Sequence, residues 1–562
     1  MSQDPFRMPS QGSDIKRLVI AAVLMFGFAF LYGQFFEPNL SWKSTNSSSS
    51  SLSDENTNVI TNDKLIDDLG LPLLDGKINK QDNITKSIFV NVKKNLGING
   101  LDVIRGGYEI LFSNIGGQIE AIRLSGYDGE INLVTPSLEN LGLFALSSRD
   151  AGVTLKANAI YKTIFSSKNQ IILEHVTPEG VKILRDYTMD LKRFVLNHKI
   201  TIKNESKNTK FIAFNVYMAS REGKIQESSF FTPKVDDIGV VCKVGKSRER
   251  FSFKTLNDES KMFSGNLVYA GFDKQYFLLS LMPNNGTIVD SSSVKVIKNY
   301  NNKEDSTVLV SLLHAPLKLE KNEIKTFNYS AFFGPKKLDV LQEVGYGLDE
   351  TINFGWFGVI SRPLLWLLVK IFDLVGNFGV AIIILTFLVK LVTFPLTQKS
   401  FISMQKMKKF QPDLKKLQKK YSHDRALLGQ KQMELYKQNG INPVAGCLPM
   451  LLQMPIWFAL YQMLWNSVEL YQQPFLGWLS NLTAPDQFYI LPVAMGISMA
   501  IQTAFQPTPQ EQPQMKYMMW GMPVFLTFIM LKMPSGLSLY IFVNNVLTIF
   551  QQMYIKRRYG SE

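Results

Sequence analysis

The sequence is poor in the residues that hold metals or form disulfides. Its 562 residues include only two cysteines, Cys242 and Cys447, which cannot build a disulfide scaffold. The four histidines lack the spacing of metal ligands and lie at His175, His198, His314 and His423. We therefore expect no metal and no cofactor, and we interpret both cysteines as structural.

Motifs for nucleotide hydrolysis and for hydrolase chemistry are also missing. The segments Gly70–Lys77 and Gly239–Ser247 approach a P-loop, but each has five residues between its glycines where the phosphate cradle needs four. The chain contains neither a G-x-S-x-G elbow nor an H-E-x-x-H zinc motif. These absences argue against an enzyme.

Charged residues are scarce, at 19% of the chain where a soluble domain usually has about 25%. Hydrophobic residues reach 46%, which excludes disorder across the whole chain, and yet the net charge is +14. Charge alone would suggest a nucleic-acid partner. However, residues 398–440 hold eleven basic and three acidic residues, which is most of the excess. The charge therefore indicates membrane topology, and we expect no sequence-specific nucleic-acid binding.

Residues 18–36 form an uncharged run of nineteen residues, enough to cross about one hydrocarbon core. The run ends in large aromatic residues, where a cleaved signal peptide would have a small-x-small site, so we favour a retained anchor. Lys16 and Arg17 precede the run, which places residues 1–17 in the cytoplasm and the region after the run on the exported side. Residues 37–60 are rich in Ser and Asn and are typical of a flexible linker.

Residues 61–337 contain no run that could span a bilayer. Segments rich in β-branched and aromatic residues alternate there with turn signals such as Gly106-Gly107. The predicted strands are 108–112, 118–124, 194–202, 211–218, 307–313 and 323–333. We predict one large, mostly antiparallel β-domain of the sandwich type.

The composition changes after residue 350. Residues 354–375 are amphipathic, which is typical of a helix in the membrane interface. Five candidate spans come after this segment, at 377–396, 446–466, 488–505, 517–533 and 536–555. With the anchor they predict six spans.

The distribution of Lys and Arg orients these spans. Residues 398–440 are strongly basic and the tail, 556–562, contains three basic residues, whereas 467–487 has neither Lys nor Arg. The positive-inside rule places 398–440 and the tail in the cytoplasm and 467–487 outside. The alternation of the spans then places the loop 506–516 in the cytoplasm.

One charge lies inside a predicted span. Lys390 is about seven residues (~10 Å) from the cytoplasmic end of 377–396, and the later spans contain no Asp or Glu to pair with it. A charge at mid-span costs about 2.5–3.5 kcal/mol and usually faces an aqueous cavity or a partner. Snorkelling to the inner interface is the alternative. Thr386, Thr393 and Thr397 share the helix face of Lys390.

The last predicted span also has a polar face. Its members by helical spacing are Ser538, Asn545, Thr548 and Gln552, with Tyr540 and Asn544 alongside. Such residues can simply join helices by hydrogen bonds. Together with Lys390 they favour a shared hydrophilic groove.

Residues 398–440 contain an apolar seam with 3-4 spacing, at Met407, Phe410, Leu414, Leu417 and Tyr421. Ser422-His423-Asp424 can turn the chain, so we predict a basic antiparallel helical hairpin. The hairpin either lies on anionic lipid headgroups or docks a nascent chain, ribosome or targeting factor.

Four motifs, in order along the chain, resemble the YidC/Oxa-type membrane-protein insertases. They are GNFGVAIIILTFLVKLVTFPLT, the basic hairpin from Gln398, NPVAGCLPMLLQMPIWFALYQML and PSGLSLYIFVNNVLTIFQQ. The resemblance covers about 354–555. The anchor and the exported domain are similar to the Gram-negative form of the family, and Gly265–Gly286 and Phe332–Lys337 match best.

The resemblance implies a multi-pass α-helical protein of the bacterial inner membrane, with both termini cytoplasmic. Its five-span core would enclose a hydrophilic groove open to the cytoplasm and to lipid. The family's groove residue, usually Arg, maps onto Lys390. Thr386 matches the threonine one turn earlier, and Tyr540 matches the first of two tyrosines, the second being Ile541. The periplasmic domain resembles the family's β-supersandwich, which is related to sugar-mutarotase folds.

The implied function is insertion and folding of inner-membrane proteins without nucleotide hydrolysis. The expected groove residues are Lys390, Thr386, Thr393, Tyr540, Asn545 and Thr548. The expected partners are nascent membrane proteins, membrane lipids, and the Sec translocon with its accessory subunits. One alternative is a secondary transporter with a cationic site at Lys390, although the chain lacks internal repeats. Another is a periplasmic carbohydrate-active enzyme, although we find no carboxylate pair.

Overall fold

The computed structural model of the chain describes most of the region after residue 106. The described residues are 88–92, 107–127, 129–134, 142–149, 152–167, 169–190, 193–222, 239–252, 261–284, 286–289, 291–298, 306–421, 423–439, 448–505 and 513–559. The predicted cytoplasmic N-terminus, anchor and linker, at 1–17, 18–36 and 37–60, lie outside these residues, as does Cys447.

The region predicted to be exported folds into two antiparallel sheets, as the alternating pattern predicts. One sheet has the order β1-β2-β3-β5-β10-β17-β16-β13, with β4 paired to β3 and β18 to β10. Its strands are β1 (Ile88–Val92), β2 (Gly107–Phe112), β3 (Ile119–Tyr127), β4 (Gly129–Val134), β5 (Leu143–Arg149), β10 (Lys210–Glu222), β13 (Lys261–Ser264), β16 (Ser291–Lys298), β17 (Ser306–Leu313) and β18 (Leu317–Leu319).

The second sheet has the order β12-β11-β14-β15-β19-β9-β8-β7-β6. Its strands are β6 (Lys162–Ser166), β7 (Gln170–Val176), β8 (Val181–Asp190), β9 (Val195–Asn204), β11 (Gly239–Val244), β12 (Ser247–Ser252), β14 (Leu267–Asp273), β15 (Phe277–Pro283) and β19 (Ile324–Pro335). The six strands predicted from alternation are all present, with ends shifted by a few residues.

The two sheets pack face to face around one apolar core. Strand β8 alternates strictly between buried and half-buried residues, so every second side chain faces the other sheet. Aromatic contacts cross the interface: the ring of Phe112 on β2 lies 5.2 Å from that of Tyr187 on β8, and Phe144 on β5 lies 4.6 Å from His198 on β9. The domain is therefore a β-sandwich.

After the sandwich the chain is helical. The helices are α1 (Leu338–Val344), α2 (Gly358–Val375), α3 (Phe378–Lys409), α4 (Gln411–Lys420), α5 (Arg425–Gln438), α6 (Leu448–Asn466), α7 (Ile490–Phe505), α8 (Pro513–Met530) and α9 (Ser535–Tyr559), with 3₁₀ turns at Leu348–Thr351, Gly355–Phe357 and Val468–Leu470. Helix α2 corresponds to the predicted interfacial segment. It buries Ser361, Leu365, Leu368 and Ile371 on one face, and the Ser361 hydroxyl donates to the carbonyl of Ala459 on α6.

Helix α3 is longer than the predicted span. It continues past Pro395 to Lys409, and Pro412 in the first turn of α4 favours the break that follows. The helical pair after it is α4 and α5, and the side chain of Asp424 caps α5 by accepting from the backbone N–H groups of Ala426 and Leu427. In the described residues, one helix is long and apolar enough to cross a membrane by itself, within 378–403. The six-span count remains a prediction.

The sandwich contacts the helical region directly. The side chain of Gln275 donates to the carbonyl of Trp465 at the end of α6, and the ring of Tyr276 lies 4.6 Å from that of Tyr471. On another side, Lys243 pairs with Glu350 at 2.9 Å. The β-domain is thus attached both to the segment after β19 and to the loop between α6 and α7.

Candidate functional site

A set of hydrogen-bonded polar side chains lies between the helices that contain the predicted spans. We call it the polar seam, and its members are Lys390, Thr397, Gln453, Ser498, Tyr540, Asn545, Thr548 and Gln551. These residues come from α3, α6, α7 and α9, so helices distant in sequence meet through them. The contact between α3 and α9 contains the seam's only formal charge.

Lys390 lies at the centre of that contact. Its side chain is buried, with 9% of the residue exposed, and its Nζ donates to the Oγ1 of Thr548 at 2.8 Å. The Thr548 hydroxyl donates in turn to the carbonyl of Asn544, so its lone pairs are available to the ammonium. Within the described part of the chain, no carboxylate lies within ion-pair distance of Lys390. The ammonium is therefore held against α9 by a neutral partner.

The other predicted residues of α3 are buried on the same side. Thr386 and Thr393 are 2% and 7% exposed. Their hydroxyls donate to backbone carbonyls one turn earlier, Thr386 to Ile382 at 2.6 Å and Thr393 to Val389 at 3.0 Å. These two threonines therefore line the seam without linking helices.

A second cross-link joins α3 and α9 nearer the hairpin. The Nε2 of Gln551 donates to the Oγ1 of Thr397 at 2.8 Å. The Oε1 atoms of Gln551 and Gln552 are buried and lack a hydrogen-bond partner among the described residues. Buried polar atoms are nearly always paired, so these acceptors suit water or a polar segment of another chain.

Two further bonds extend the seam. The side chain of Asn545 donates to the hydroxyl of Ser498 on α7 at 3.2 Å, and Gln453 on α6 donates to the hydroxyl of Tyr540 at 3.0 Å. Sequence reasoning did not identify Ser498, Gln453 or Gln551. The only available signal was an uncharged polar residue in an apolar run, which is also typical of ordinary helix packing.

The buried charges of the β-domain have a different environment. Asp273 accepts from the Nζ of Lys336 and from the Nε of Arg250, each at 2.8 Å. Burial lowers the pKa of Lys336, and the adjacent Asp273 carboxylate opposes that effect. Arg185 is fully buried and donates to the backbone carbonyls of Gly116 and Phe144. Lys336 and Arg185 are thus held by strong acceptors.

Glu469 is a buried carboxyl between the two regions. It lies in the loop after α6, with 3% of the residue exposed, and its Oε2 lacks a hydrogen-bond partner in the part of the chain that the structure describes. Burial is the largest cause that raises its pKa, to about 7. Backbone N–H groups of Glu469 and Leu338 and the charge of Lys337 act in the opposite direction, and Asp339 adds to the increase. This carboxyl is therefore largely neutral in mildly acidic conditions.

Comparison with known proteins gives matches over most of the chain. Residues 103–367 match the family model described as the YidC periplasmic domain, and residues 370–562 match the model described as 60Kd inner membrane protein. The protein named membrane protein insertase YidC from Geobacter sulfurreducens is 34% identical over 464 residues, covering 80% of this chain and 85% of the relative. The protein of the same name from Geobacter metallireducens is 33% identical over 465 residues, covering 80% and 84%.

Solved structures give weaker similarities. An active YidC insertase crystal structure has 18% identity and a TM-score of 0.35, covering 79% of this chain and 89% of that chain. A putative aldose 1-epimerase from Escherichia coli K12 has 9% identity and a TM-score of 0.30, covering 41% and 96%. Similarity at these TM-scores adds nothing to the sequence matches.

Proposed function

This chain belongs to the YidC family of inner-membrane proteins with a periplasmic domain, and on that premise we propose that it inserts other proteins into the inner membrane and helps them fold. The observation that supports this function in the chain itself is the buried ammonium of Lys390, held by Thr548 without a carboxylate. Such a costly charge within a membrane span marks a functional site by default.

The substrate of this reaction is a nascent membrane protein, and its difficult part is the short hydrophilic segment that must cross the bilayer. Transfer of polar groups into hydrocarbon without hydrogen-bond partners costs several kcal/mol each. The polar seam offers donors and acceptors at that depth, including the ammonium of Lys390 and the amide oxygen of Gln551, and the amide oxygen of Gln552 lies beside it. An acidic or polar segment is drawn toward Lys390 by its charge.

In this mechanism the seam opens between α3 and α9, and the entering segment replaces internal hydrogen bonds with its own. The bond of Lys390 to Thr548 is suited to that exchange, because a neutral hydroxyl holds an ammonium less tightly than a carboxylate does. Thr386, Thr393 and Asn545 continue the polar surface, and Tyr540 is held in place by Gln453.

The apolar part of the substrate supplies the driving force. Once its helix leaves the seam sideways, burial in lipid is favourable by about 25 cal/mol per Å² of apolar surface. Insertion on this scheme needs no nucleotide hydrolysis. The proposed topology has six spans with both termini in the cytoplasm. Helices α4 and α5 then present a basic surface to anionic headgroups, ribosome or targeting factor, and the Sec translocon is a proposed partner.

Crosslinking of a translating substrate tests the proposal. Photoreactive residues placed at 386, 393, 540 and 545 should capture the hydrophilic segment of a one- or two-span nascent protein. The same probe at Trp520, which is exposed on α8, is the matched control. Capture of a small solute in place of nascent chain would support the transporter alternative. Normal insertion of such substrates after depletion of the protein would contradict our proposal.

A further inference from the structure

A polar cavity lies where the β-domain meets the interfacial helix. Its volume is about 270 Å³, and its wall contains Arg248 of β12, Glu350, the segment 352–355, and Gly358 and Arg362 of α2. None of the polar-seam residues lines it. It therefore stands apart from the proposed path of nascent chains.

Two guanidinium groups line this cavity. Arg248 donates through Nη1 to the carbonyl of Glu350, and Arg362 lies 3.5 Å from the carboxylate of Asp349 with 42% of its side chain exposed. The carboxylate of Glu350 is paired with Lys243 at 2.9 Å. These five groups, three basic and two acidic, give a net charge of +1. Each guanidinium has five N–H donors, so most of them remain available for an anion.

The surface beside the cavity is apolar and aromatic. The exposed fractions are 82% for Trp356, 86% for Val359 and 62% for Trp366. Val359 and Trp366 lie on the face of α2 opposite the buried Leu365 and Leu368. Tryptophan with a wet end and an apolar end is typical of the headgroup level of a bilayer. A cationic cavity next to this surface matches a ligand that has an anionic head and apolar chains.

We propose that the cavity binds the phosphate of a glycerophospholipid from the outer leaflet, with its acyl chains along Val359 and Trp366. Arg248 and Arg362 contact the phosphate oxygens, since guanidinium geometry matches them in bidentate bonds. The bound lipid joins the β-domain to α2, because one arginine comes from each. This inference rests on the membrane placement in the proposed function, but not on insertion activity.

Lipid retention by the full chain in detergent, measured by native mass spectrometry, tests the site. The probes are phosphatidylglycerol and a diacylglycerol with the same acyl chains, with soluble glycerol phosphate as a competitor. We expect the intact chain to retain one phosphatidylglycerol that the double variant Arg248→Gln, Arg362→Gln binds about tenfold more weakly. The diacylglycerol should not be retained at this site, and equimolar glycerol phosphate should not displace the lipid.

Three further variants make the result specific. The double variant Arg248→Lys, Arg362→Lys keeps both charges but loses the bidentate geometry, and should recover only part of the retention. Arg193→Gln removes an exposed arginine from the β-domain, where it pairs with Glu343, and should change nothing. Lys390→Ala should keep the lipid even if insertion fails, so that the two proposals fail separately. Equal retention by the intact chain and the Gln variant, equal retention of diacylglycerol, or displacement by glycerol phosphate would each overturn the site.

Discussion

Two buried lysines, one in each half of the molecule, have opposite environments. Lys336 of the β-domain contacts the carboxylate of Asp273, which also holds Arg250. Lys390 of the helical region contacts only the hydroxyl of Thr548 among its described side-chain partners. A buried charge with an ionic partner is typical of a folded framework, whereas a charge inside a membrane span without such a partner is costly and marks a candidate functional site. The comparison sets a cation held by an ionic partner against one for which we propose a role in insertion.

The largest expected effect comes from removing the buried carboxylate that holds Lys336. Asp273→Asn leaves Lys336 and Arg250 without their carboxylate, and we expect the full chain in detergent to lose about 3–5 kcal/mol of unfolding free energy. Denaturant unfolding followed by the circular dichroism of the β-sheets measures this loss. Asp339→Asn is the control, since its carboxylate is mostly exposed and pairs with Lys337 at the surface. Equal loss in both variants would show that the buried network has no special role.

Replacing Lys390 tests its proposed role in insertion. Lys390→Ala should reduce insertion of a small membrane protein roughly tenfold or more, while Lys390→Arg keeps the charge and the activity. Thermal stability should stay the same or rise, because no carboxylate is left unpaired. Pulse-labelling with protease protection of the substrate measures insertion in cells. Equal insertion by the original chain and both variants would remove Lys390 from the mechanism.

Glu469 lies between the two regions and titrates at their junction. Its pKa in the folded chain, about 7, is above the ordinary value of 4.5, so the folded state holds the proton more tightly. The protonated carboxyl therefore contributes its full stability below about pH 4.5. This stability is lost as the pH rises to about 7, and the free energy of unfolding does not change further with this group above that pH. The total effect is at most roughly 3 kcal/mol. Thermal unfolding of the full chain at pH 5 and pH 8 measures it, and Glu469→Gln should flatten the difference. An unchanged pH dependence in that variant would assign the effect to other groups.

The smallest expected effect comes from removing the hydroxyl of Thr548 that accepts from Lys390. Thr548→Val keeps the shape of the side chain but removes the acceptor that holds the ammonium of Lys390, so positioning is lost while the charge remains. We expect a decrease in insertion of about tenfold or less, equivalent to about 1.5 kcal/mol. Thr503→Val is a matched control, because within the described residues the Thr503 hydroxyl bonds only to the carbonyl of Met499 on its own helix. A decrease of the same size in both variants would indicate a general effect of lost hydroxyls.

Sequence reasoning predicted strands before residue 337 and helices after residue 350, and both are observed in the described residues. Alternation predicted strands such as 211–218, observed as Lys210–Glu222, because period-two burial is a local property of a strand. The same reasoning chose Gln552, but Gln551 makes the bond to Thr397. The side chains of adjacent residues point in directions 100° apart around the helix axis. Which of the two faces α3 depends on the rotation of α9 about its axis, and that rotation is set by packing between the helices.

The length of α3 illustrates another difference. The apolar pattern ends near residue 396, but the helix continues to Lys409. Hydropathy predicts only the end of the apolar stretch, whereas the backbone hydrogen bonds of the helix continue beyond it. The cavity between Arg248 and Arg362 gave no sequence signal. Its two arginines are more than a hundred residues apart, and neither belongs to a motif.

The sequence by itself determined the division into an alternating β-domain and an apolar helical region, together with the presence of a basic residue within an apolar segment. Periodicity, run length and charge count are local and additive, so they can be read along the chain. The tertiary structure decided which partner each charge receives: a carboxylate for Lys336 and a hydroxyl for Lys390. That choice depends on which strands and helices become neighbours, and the free energy of a buried charge depends on those neighbours more than on the residue itself.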